Sequence, residues 1–151
     1  MSGNDLDQLP RHLDALIAKL SPQQRRQLAR QMARTLRGMQ ARRIRDNIDP
    51  DGQPYAARKP QKHLRKRRSL KLFPRIHRAK TLKANANPNA ATVTFTGFAN
   101  RVARVHHYGL RDRVSKKGPT IQYQERRLLG FDDQDTSMVE AAIIQHLSIN
   151  T

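Results

Sequence analysis

Residues 21–45 read SPQQRRQLARQMARTLRGMQARRIR and predict one long helix. Ser21 suits the N-cap, Pro22 suits the first helical position, and Gln24 can complete a capping box with Ser21. Apolar residues recur at helical spacing, and arginines fill the remaining surface. The apolar stripe comprises Leu28, Met32, Leu36 and Met39, and the arginines are Arg25, Arg26, Arg30, Arg34, Arg37, Arg42 and Arg43. We therefore expect a helix that ends at about Arg45.

A shorter amphipathic helix is predicted before this one. Its apolar residues occur at steps of three and four, which places them on one helical face. They are Leu6, Leu9, Leu13, Leu16, Ile17 and Leu20. Because Ser21 and Pro22 follow at once, the two helices are joined by a tight turn and form a hairpin over residues 1–47.

The segment after the helical hairpin changes in character. The sequence DPDGQP at residues 49–54 is rich in turn formers and ends the helical region. Residues 58–83 are basic, and their few apolar residues follow no long period. This pattern favours an extended, partly helical arm or a long loop over residues 48–80.

Regular structure is predicted again from about residue 81. Residues 81–86 and 91–96 flank an Asn- and Pro-rich turn, and the second arm alternates apolar and hydroxyl side chains, which is typical of a β-hairpin. Val93 and Phe95 should face the core. Residues 101–108 fit a strand or a short helix; we favour the helix, and Gly109 ends the element in either case.

Two further elements complete the predicted fold. Residues 120–124 read as a third strand. Asp132, Asp133 and Asp135 precede apolar residues at helical spacing, as expected at the positive N-terminus of a last helix. The prediction is a single α+β domain: a helical hairpin (1–47), a basic arm or loop (48–80), and a small antiparallel β-sheet with a C-terminal helix (81–151).

The charge distribution indicates an anionic partner. The net charge is +18, and residues 52–111 hold fifteen Lys and Arg but no Asp or Glu. Such a block suits contact with a nucleic-acid backbone, independent of base sequence, or with an acidic protein surface. The candidate contact residues are Arg58, Lys59, Lys62, Arg65, Lys66, Arg67, Arg68 and Lys71.

Several function classes receive no support from the sequence. There is no Cys, no apolar run long enough to span a bilayer and no signal-peptide pattern, so we expect a cytoplasmic chain without membrane contact. No nucleotide-binding, zinc-protease or nucleophile-elbow motif is present. His106 and His107 are adjacent and point apart on either a helix or a strand, which disfavours a shared metal. We expect no catalytic residue, no metal and no cofactor.

Several phrases, in order along nearly the whole chain, resemble the phage virion morphogenesis proteins, also called tail completion proteins, of temperate contractile-tailed phages. Each phrase is short, and their order and spacing carry the resemblance. The matching phrases are residues 20–22 (LSP) with Arg25 and Arg26, residues 49–55 (DPDGQPY) leading to Arg58 and Lys59, residues 93–97 (VTFTG), residues 101–109 (RVARVHHYG), and residues 127–131 (RLLGF) with Asp135 and a closing helix through Leu147.

The resemblance implies a structural, non-enzymatic virion component that completes the tail at its head-proximal end and enables head–tail joining. Such proteins resemble small α+β neck and terminator proteins that form rings, here expected to be hexameric. The implied partners are the tail tube, the sheath, the head–tail connector and passing DNA. The implied location is the tail neck of the virion, with the host cytoplasm during assembly. A family-motif segment, serving the fold or an interface, comprises Arg104, His106, His107, Tyr108 and Gly109.

Two other functions remain open from the residues alone. The composition also fits a cytosolic, sequence-nonspecific nucleic-acid-binding protein of ribosomal or nucleoid type. A nuclease or lysozyme-like enzyme has less support, because no acid pair or His–acid pair stands out.

Overall fold

The long helix predicted first packs against the β-hairpin and the last helix. The computed structural model describes residues 11–57 and 72–149, with side chains from residue 14 onward. Helix α1 spans Arg11–Ala18 and helix α2 spans Pro22–Arg45. The Ser21 hydroxyl accepts the N–H of Gln24 at 3.2 Å, and the Gln24 side chain accepts the N–H of Ser21 at 2.9 Å. The predicted capping box and both ends of α2 are therefore confirmed, whereas Leu6 and Leu9 lie outside the described residues.

The predicted β-hairpin is also confirmed. Strand β1, Leu82–Asn87, pairs antiparallel with strand β2, Ala90–Phe95, across a two-residue turn. Leu82 lies opposite Phe95, and both side chains are buried. Val93 is half-buried and packs against the apolar core, as the alternation predicted.

Residues 101–108 are helical, as favoured from the sequence. Helix α3 spans Phe98–Tyr108 and ends at Gly109, which adopts the left-handed conformation typical of a helix C-terminus. The last helix, α4, spans Asp133–Ile149 and begins at the predicted acidic residues. The described elements thus mix helices and small antiparallel sheets, as in an α+β fold.

The third predicted strand forms, but it does not join the first hairpin. Strand β4, Thr120–Gln122, pairs antiparallel with a short strand β3, Arg111–Arg113, in a separate two-stranded sheet. The expectation of one small sheet is therefore corrected to two. Ordinary strands average five to six residues, and these three-residue strands carry no apolar alternation that could have revealed their partner.

Two apolar clusters form the core, and α2 contributes to both. One contains Leu28 and Leu36 of α2 with residues of α4, and its members are Leu28, Leu36, Val139, Ile143 and Leu147. The other surrounds the C-terminal end of α2, and its members are Ile44, Tyr55, Leu82, Phe95, Ala99, Ala103, Leu128 and Leu129. The half-buried Val93 packs against both clusters and so connects them.

The prediction that Arg37 and Arg43 of α2 lie on the helix surface is wrong. Arg37 is half-buried, and its guanidinium donates to the carbonyls of Leu82 at 2.6 Å and His77 at 3.2 Å. Arg43 is 8% exposed. Both lie next to the apolar stripe, where long side chains can bury their stems and donate to internal acceptors.

Residues 72–80, in the C-terminal part of the predicted arm, pack against the body of the protein. Leu72, Phe73 and Ile76 are half-buried against the cluster that contains Ile44. Phe73 has a positive φ of 55°, and its ring meets that of Tyr55 edge to face, with centroids 5.8 Å apart. These residues therefore form part of the boundary of the apolar core.

Candidate assembly site

The eight candidate contact residues between Arg58 and Lys71 all lie outside the described residues. The chain positions on either side of them are well defined. Ala57 precedes this basic segment, residues 58–71, and Leu72 follows it. The geometry of the candidate site therefore begins with what holds these two ends.

A buried arginine holds the end that precedes the basic segment. Arg126 is 8% exposed, and its guanidinium donates to the carbonyl of Ala56 at 2.9 Å and to that of Ala57 at 3.2 Å. Its backbone N–H donates to the carbonyl of His106 at 2.7 Å. Arg126 thus connects the start of the basic segment directly to helix α3.

An asparagine side chain holds the end that follows the basic segment. Asn47 has a positive φ of 57°, a conformation that Asn tolerates better than most residues. Its amide nitrogen donates to the carbonyl of Leu72 at 2.9 Å, and its carbonyl oxygen accepts the N–H of Leu72 at 2.8 Å. The same nitrogen also donates to the carbonyl of Ile44. The basic segment is therefore anchored at both ends to the same body.

The family-motif segment lies between these two anchors. The half-buried ring of His106 meets the rings of Phe73 and Tyr123 edge to face, with centroid distances of 4.8 and 4.7 Å. His106 thus packs against Phe73, which follows the basic segment, while the His106 carbonyl accepts the N–H of Arg126.

His107 has a hydrogen-bonding role. It is buried, and its Nδ1 accepts the backbone N–H of Leu128 at 3.2 Å. Burial lowers the pKa of its imidazole below the ordinary value, because the charged form would lose its hydration, and a neutral Nδ1 must act as acceptor here. His107 therefore fixes the chain after Arg126 to helix α3.

Gly109 is required where the chain turns after α3. It has a φ of +63°, and a Cβ at this position would lie 2.9 Å from the backbone nitrogen of Glu125. The backbone of residues 109–110 is close enough to residues 122–125 that Tyr123 N–H donates to the carbonyl of Leu110 at 3.1 Å. Gly109 thus serves the fold through its backbone conformation and this close approach.

Only two of the five motif residues are exposed. Arg104 and Tyr108 lie on the outer side of α3, whereas His107 is buried and His106 and Gly109 are partly covered. Tyr108 is 46% exposed and packs its ring against His107, with centroids 4.7 Å apart. Within the motif, direct contact with a partner would therefore fall to Arg104 and Tyr108.

A buried ion pair joins α2 to the start of α4. Arg43 donates to the carboxylate of Asp135 at 2.9 Å, and Asp135 is only 1% exposed. The same guanidinium donates to the carbonyl of Gly130 at 2.9 Å and also bonds the side chain of Gln40. Burial raises the pKa of the Asp135 carboxyl, and the charge of Arg43 opposes that shift.

The ion pair of Arg43 and Asp135 was not predicted from the sequence. Asp135 was assigned to the acidic start of the last helix, and it does take part there: the backbone N–H groups of Asp132 and Asp135 each donate to the other's carboxylate. One feature of the sequence indicates that Arg43 has a partner. Arg43 lies seven residues after Leu36, on the same face as the apolar stripe, which is unusual for a charged residue without a partner.

Two acids near residue 50 stabilise local structure. The Asp49 carboxylate accepts the N–H groups of Asp51 and Gln53, both at 2.9 Å, which stabilises the turn. Asp51 in turn pairs with Arg127. Over residues 11–57 and 72–149, no group of three or more His, Cys, Asp or Glu side chains is placed to hold a metal ion. No helix in the same ranges has the length and apolar content needed to cross a membrane.

Comparison with known proteins decides the family. The model of the phage virion morphogenesis family matches residues 4–148, nearly the whole chain. The chain belongs to this family. It is 37% identical over 147 residues to tail completion protein S of Escherichia phage P2, covering 95% of this chain and 98% of that protein. No solved structure matches the chain.

Family membership confirms the resemblance that the ordered phrases gave. The matched range includes α2, both anchors of the basic segment and the family-motif segment. The comparisons give no support to the alternative of a ribosomal or nucleoid protein.

Proposed function

We propose that this protein is a structural tail completion protein of a contractile-tailed phage, acting at the head-proximal end of the tail to enable head–tail joining. One observation carries the proposal: the 37% identity to a tail completion protein extends over nearly the full length of both chains. The alignment covers 95% of this chain and 98% of that protein, so the likeness is not limited to one shared segment.

The working form is a ring of identical subunits, six if it follows the symmetry of a tail tube. Large apolar side chains on the described surface support association, since they are unusual in a chain this polar. Phe98 is 80% exposed, Ile149 76% and Val114 50%. A chain with a net charge of +18 also repels itself and gains stability beside anionic neighbours.

The basic segment provides the contact with passing DNA or with an acidic neighbouring ring. Its eight Lys and Arg are Arg58, Lys59, Lys62, Arg65, Lys66, Arg67, Arg68 and Lys71. Arg126 and Asn47 hold the residues on either side of this segment, Ala56 and Leu72, on one body. The contacts would be independent of base sequence, because Lys and Arg would meet phosphate or carboxylate groups.

The role is structural and requires no chemistry from the protein. Asp49 stabilises a turn, Asp132 stabilises the start of α4, and His107 accepts the backbone N–H of Leu128. The protein would accordingly remain in the finished particle, in the tail neck, after assembly in the host.

Deletion of the gene in the phage provides the test. We expect lysates with filled heads and separate tails, and plasmid-borne wild-type protein should restore joined particles. Normal numbers of joined particles without the protein would contradict the proposal. Mass spectrometry of purified virions should find the chain, and its absence would indicate an assembly factor that leaves the particle.

The role of the basic segment needs a charge-matched control. Replacing Arg65, Lys66, Arg67 and Arg68 with Gln removes four charges from the segment. Replacing Arg111, Arg113, Lys116 and Lys117 with Gln removes four exposed charges from the β3–β4 hairpin. We expect complementation to fail for the first variant and to persist for the second. Equal loss in both would indicate a requirement for net charge alone.

A further inference from the structure

Helix α2 carries an exposed row of arginines that is separate from the basic segment. Arg26, Arg30, Arg34 and Arg42 are all exposed and lie on one ridge with a step of four residues, interrupted at Gly38. At a rise of 1.5 Å per residue, the row extends for about 24 Å. We call these four residues the α2 arginine row.

The row is not neutralised by the residues that the structure describes. Helix α2 contains eight arginines and no Asp, Glu or Lys. Arg37 and Arg43 are used internally, and Arg45 pairs with Asp46, whereas no described carboxylate lies within 4 Å of the guanidinium groups of the row. Like charges four residues apart destabilise a helix, so the row favours an anionic partner.

Gly38 gives a second, independent indication of a partner. It is exposed in the middle of α2, its φ is not positive, and no atom other than the neighbouring backbone of α2 itself lies within 4 Å of the position that a Cβ would occupy. Neither packing nor backbone conformation therefore requires glycine there, although glycine is less favourable than alanine in a helix. Its lack of a side chain leaves a notch between Arg34 and Arg42 through which a ligand can approach the helix.

The neighbouring side chains favour a nucleic acid over a protein. Exposed Gln27 and Gln31 lie beside the row, and α2 contains no aromatic residue. Protein interfaces depend on buried aromatic and apolar anchors, and single-stranded nucleic acids stack on aromatic rings. Residues at steps of four advance by about 40° around a helix, so the row winds across the exposed side of α2. Its guanidinium groups instead fit the uniform charge of a duplex backbone, where about 24 Å of helix axis corresponds to about seven phosphates of one strand at 3.4 Å each.

We propose that the α2 arginine row binds the phosphate backbone of duplex DNA without sequence preference, with the strand passing at the Gly38 notch. Each guanidinium can donate two hydrogen bonds to one phosphate. None of the four residues of the row belongs to the basic segment, and binding of DNA by the row does not depend on ring formation or on head–tail joining.

The test is fluorescence anisotropy of a labelled 30-base-pair duplex titrated with the full-length protein at several salt concentrations. The row variant carries Arg26→Gln, Arg30→Gln, Arg34→Gln and Arg42→Gln. The charge-matched control carries Arg111→Gln, Arg113→Gln, Lys116→Gln and Lys117→Gln. Circular dichroism verifies that both variants are folded, and a second duplex of unrelated sequence measures sequence preference.

The expected result follows from counterion release. Loss of four phosphate contacts should reduce the slope of log affinity against log salt by about 3 to 4, at about 0.9 per contact, while the control should change it by less than about 1. Equal slopes for the two variants, or no loss in the row variant, would overturn the proposal. The proposal would also be overturned if a polyglutamate peptide bound more tightly than the duplex and lost its binding in the row variant. That result would indicate an acidic protein as the partner.

Two substitutions at Gly38 test the notch. Gly38→Ala and Gly38→Gln should both raise the thermal stability of the protein, because both residues favour helix. Gly38→Gln should nevertheless weaken binding of the duplex several-fold more than Gly38→Ala, because it fills the notch. Unchanged affinity in Gly38→Gln would overturn the role of the notch.

Discussion

The buried pair of Arg43 and Asp135 yields the most demanding prediction for stability. Both side chains are at least nine-tenths buried, and their charged atoms lie 2.9 Å apart. Replacing Arg43 leaves the buried Asp135 carboxylate without its cationic partner, and replacing Asp135 leaves Arg43 with only the more distant carboxylate of Asp132, at 3.8 Å. We therefore compare Asp135→Leu, Arg43→Met and the double variant, in which two apolar side chains occupy the same space.

The magnitudes follow from the burial of the pair. Each single substitution should lower the free energy of unfolding by about 3–5 kcal/mol, because it strands one charge in the core. The double variant should lie within about 2 kcal/mol of the wild type, since apolar replacement of a buried ion pair is commonly neutral or stabilising. The coupling free energy between the two positions would then be at least about 4 kcal/mol.

Urea unfolding followed by circular dichroism measures these free energies. A domain of this size is stable by only about 5–15 kcal/mol, so a single substitution can prevent folding altogether. If a single variant fails to fold and the double variant folds, the expected loss and recovery of stability are both observed. The exposed pair of Arg101 and Asp112 gives the control, and Arg101→Met should change stability little because solvent screens that pair. A cost below about 1 kcal/mol for Asp135→Leu, or no recovery in the double variant, would refute the reasoning.

Three further predictions test the candidate site. Gly109→Ala should lower the free energy of unfolding by about 1–2 kcal/mol or more, through its positive φ and the contact of the new Cβ with Glu125, and urea unfolding with unchanged stability would contradict this. Burial lowers the pKa of His107, so the contribution of neutral His107 to the free energy of unfolding is complete above pH about 6.5 and is lost as the pH falls from there through its folded pKa. The loss should be no more than about 1.4 kcal/mol per pH unit. His107→Asn, which retains an acceptor, should lose less stability than the wild type over this range, and parallel pH profiles of the two proteins would contradict the assignment. Asn47→Ala removes the side chain that holds Leu72 and should speed trypsin cleavage within the basic segment, whereas Asn47→Asp, which keeps the acceptor for the Leu72 N–H, should have a smaller effect; equal cleavage rates in wild type and Asn47→Ala would contradict this anchor.

Local signals predicted the elements that depend on local physics. The helix α2 follows from Ser21, Pro22 and Gln24, whose capping contacts are all within three residues of one another. The hairpin follows from the alternation around Phe95, and the end of α3 follows from Gly109. In each case the sequence near the element contains the groups that define it.

Contacts between distant residues were not predictable in the same way. Arg43 and Asp135 are 92 residues apart, and each has a plausible local role, as a surface charge or as a helix cap. Arg126 reads as one of several basic residues, yet it holds the carbonyls of Ala56 and Ala57, about 70 residues earlier. Charge and spacing alone do not indicate which arginine has an internal acceptor.

The function was predictable chiefly from the ordered family phrases. Charge alone suggested a nucleic-acid-binding protein, and only the phrases around residues 49–55 and 101–109 pointed to tail completion. The structure explains why such short phrases are informative: residues 49–55 form the turn before the anchor at Ala56, and residues 101–109 form the helix that supports that anchor.

Cryo-electron microscopy of the neck of the assembled phage tests the central claim most directly. The account predicts a closed ring of this chain between the tail tube and the head, with α2, the β1–β2 hairpin and α4 recognisable in each subunit. It further predicts that the anchors at Ala57 and Leu72 face the lumen or an adjacent acidic ring. A neck map fully explained by other proteins, with this chain absent, would contradict the claim.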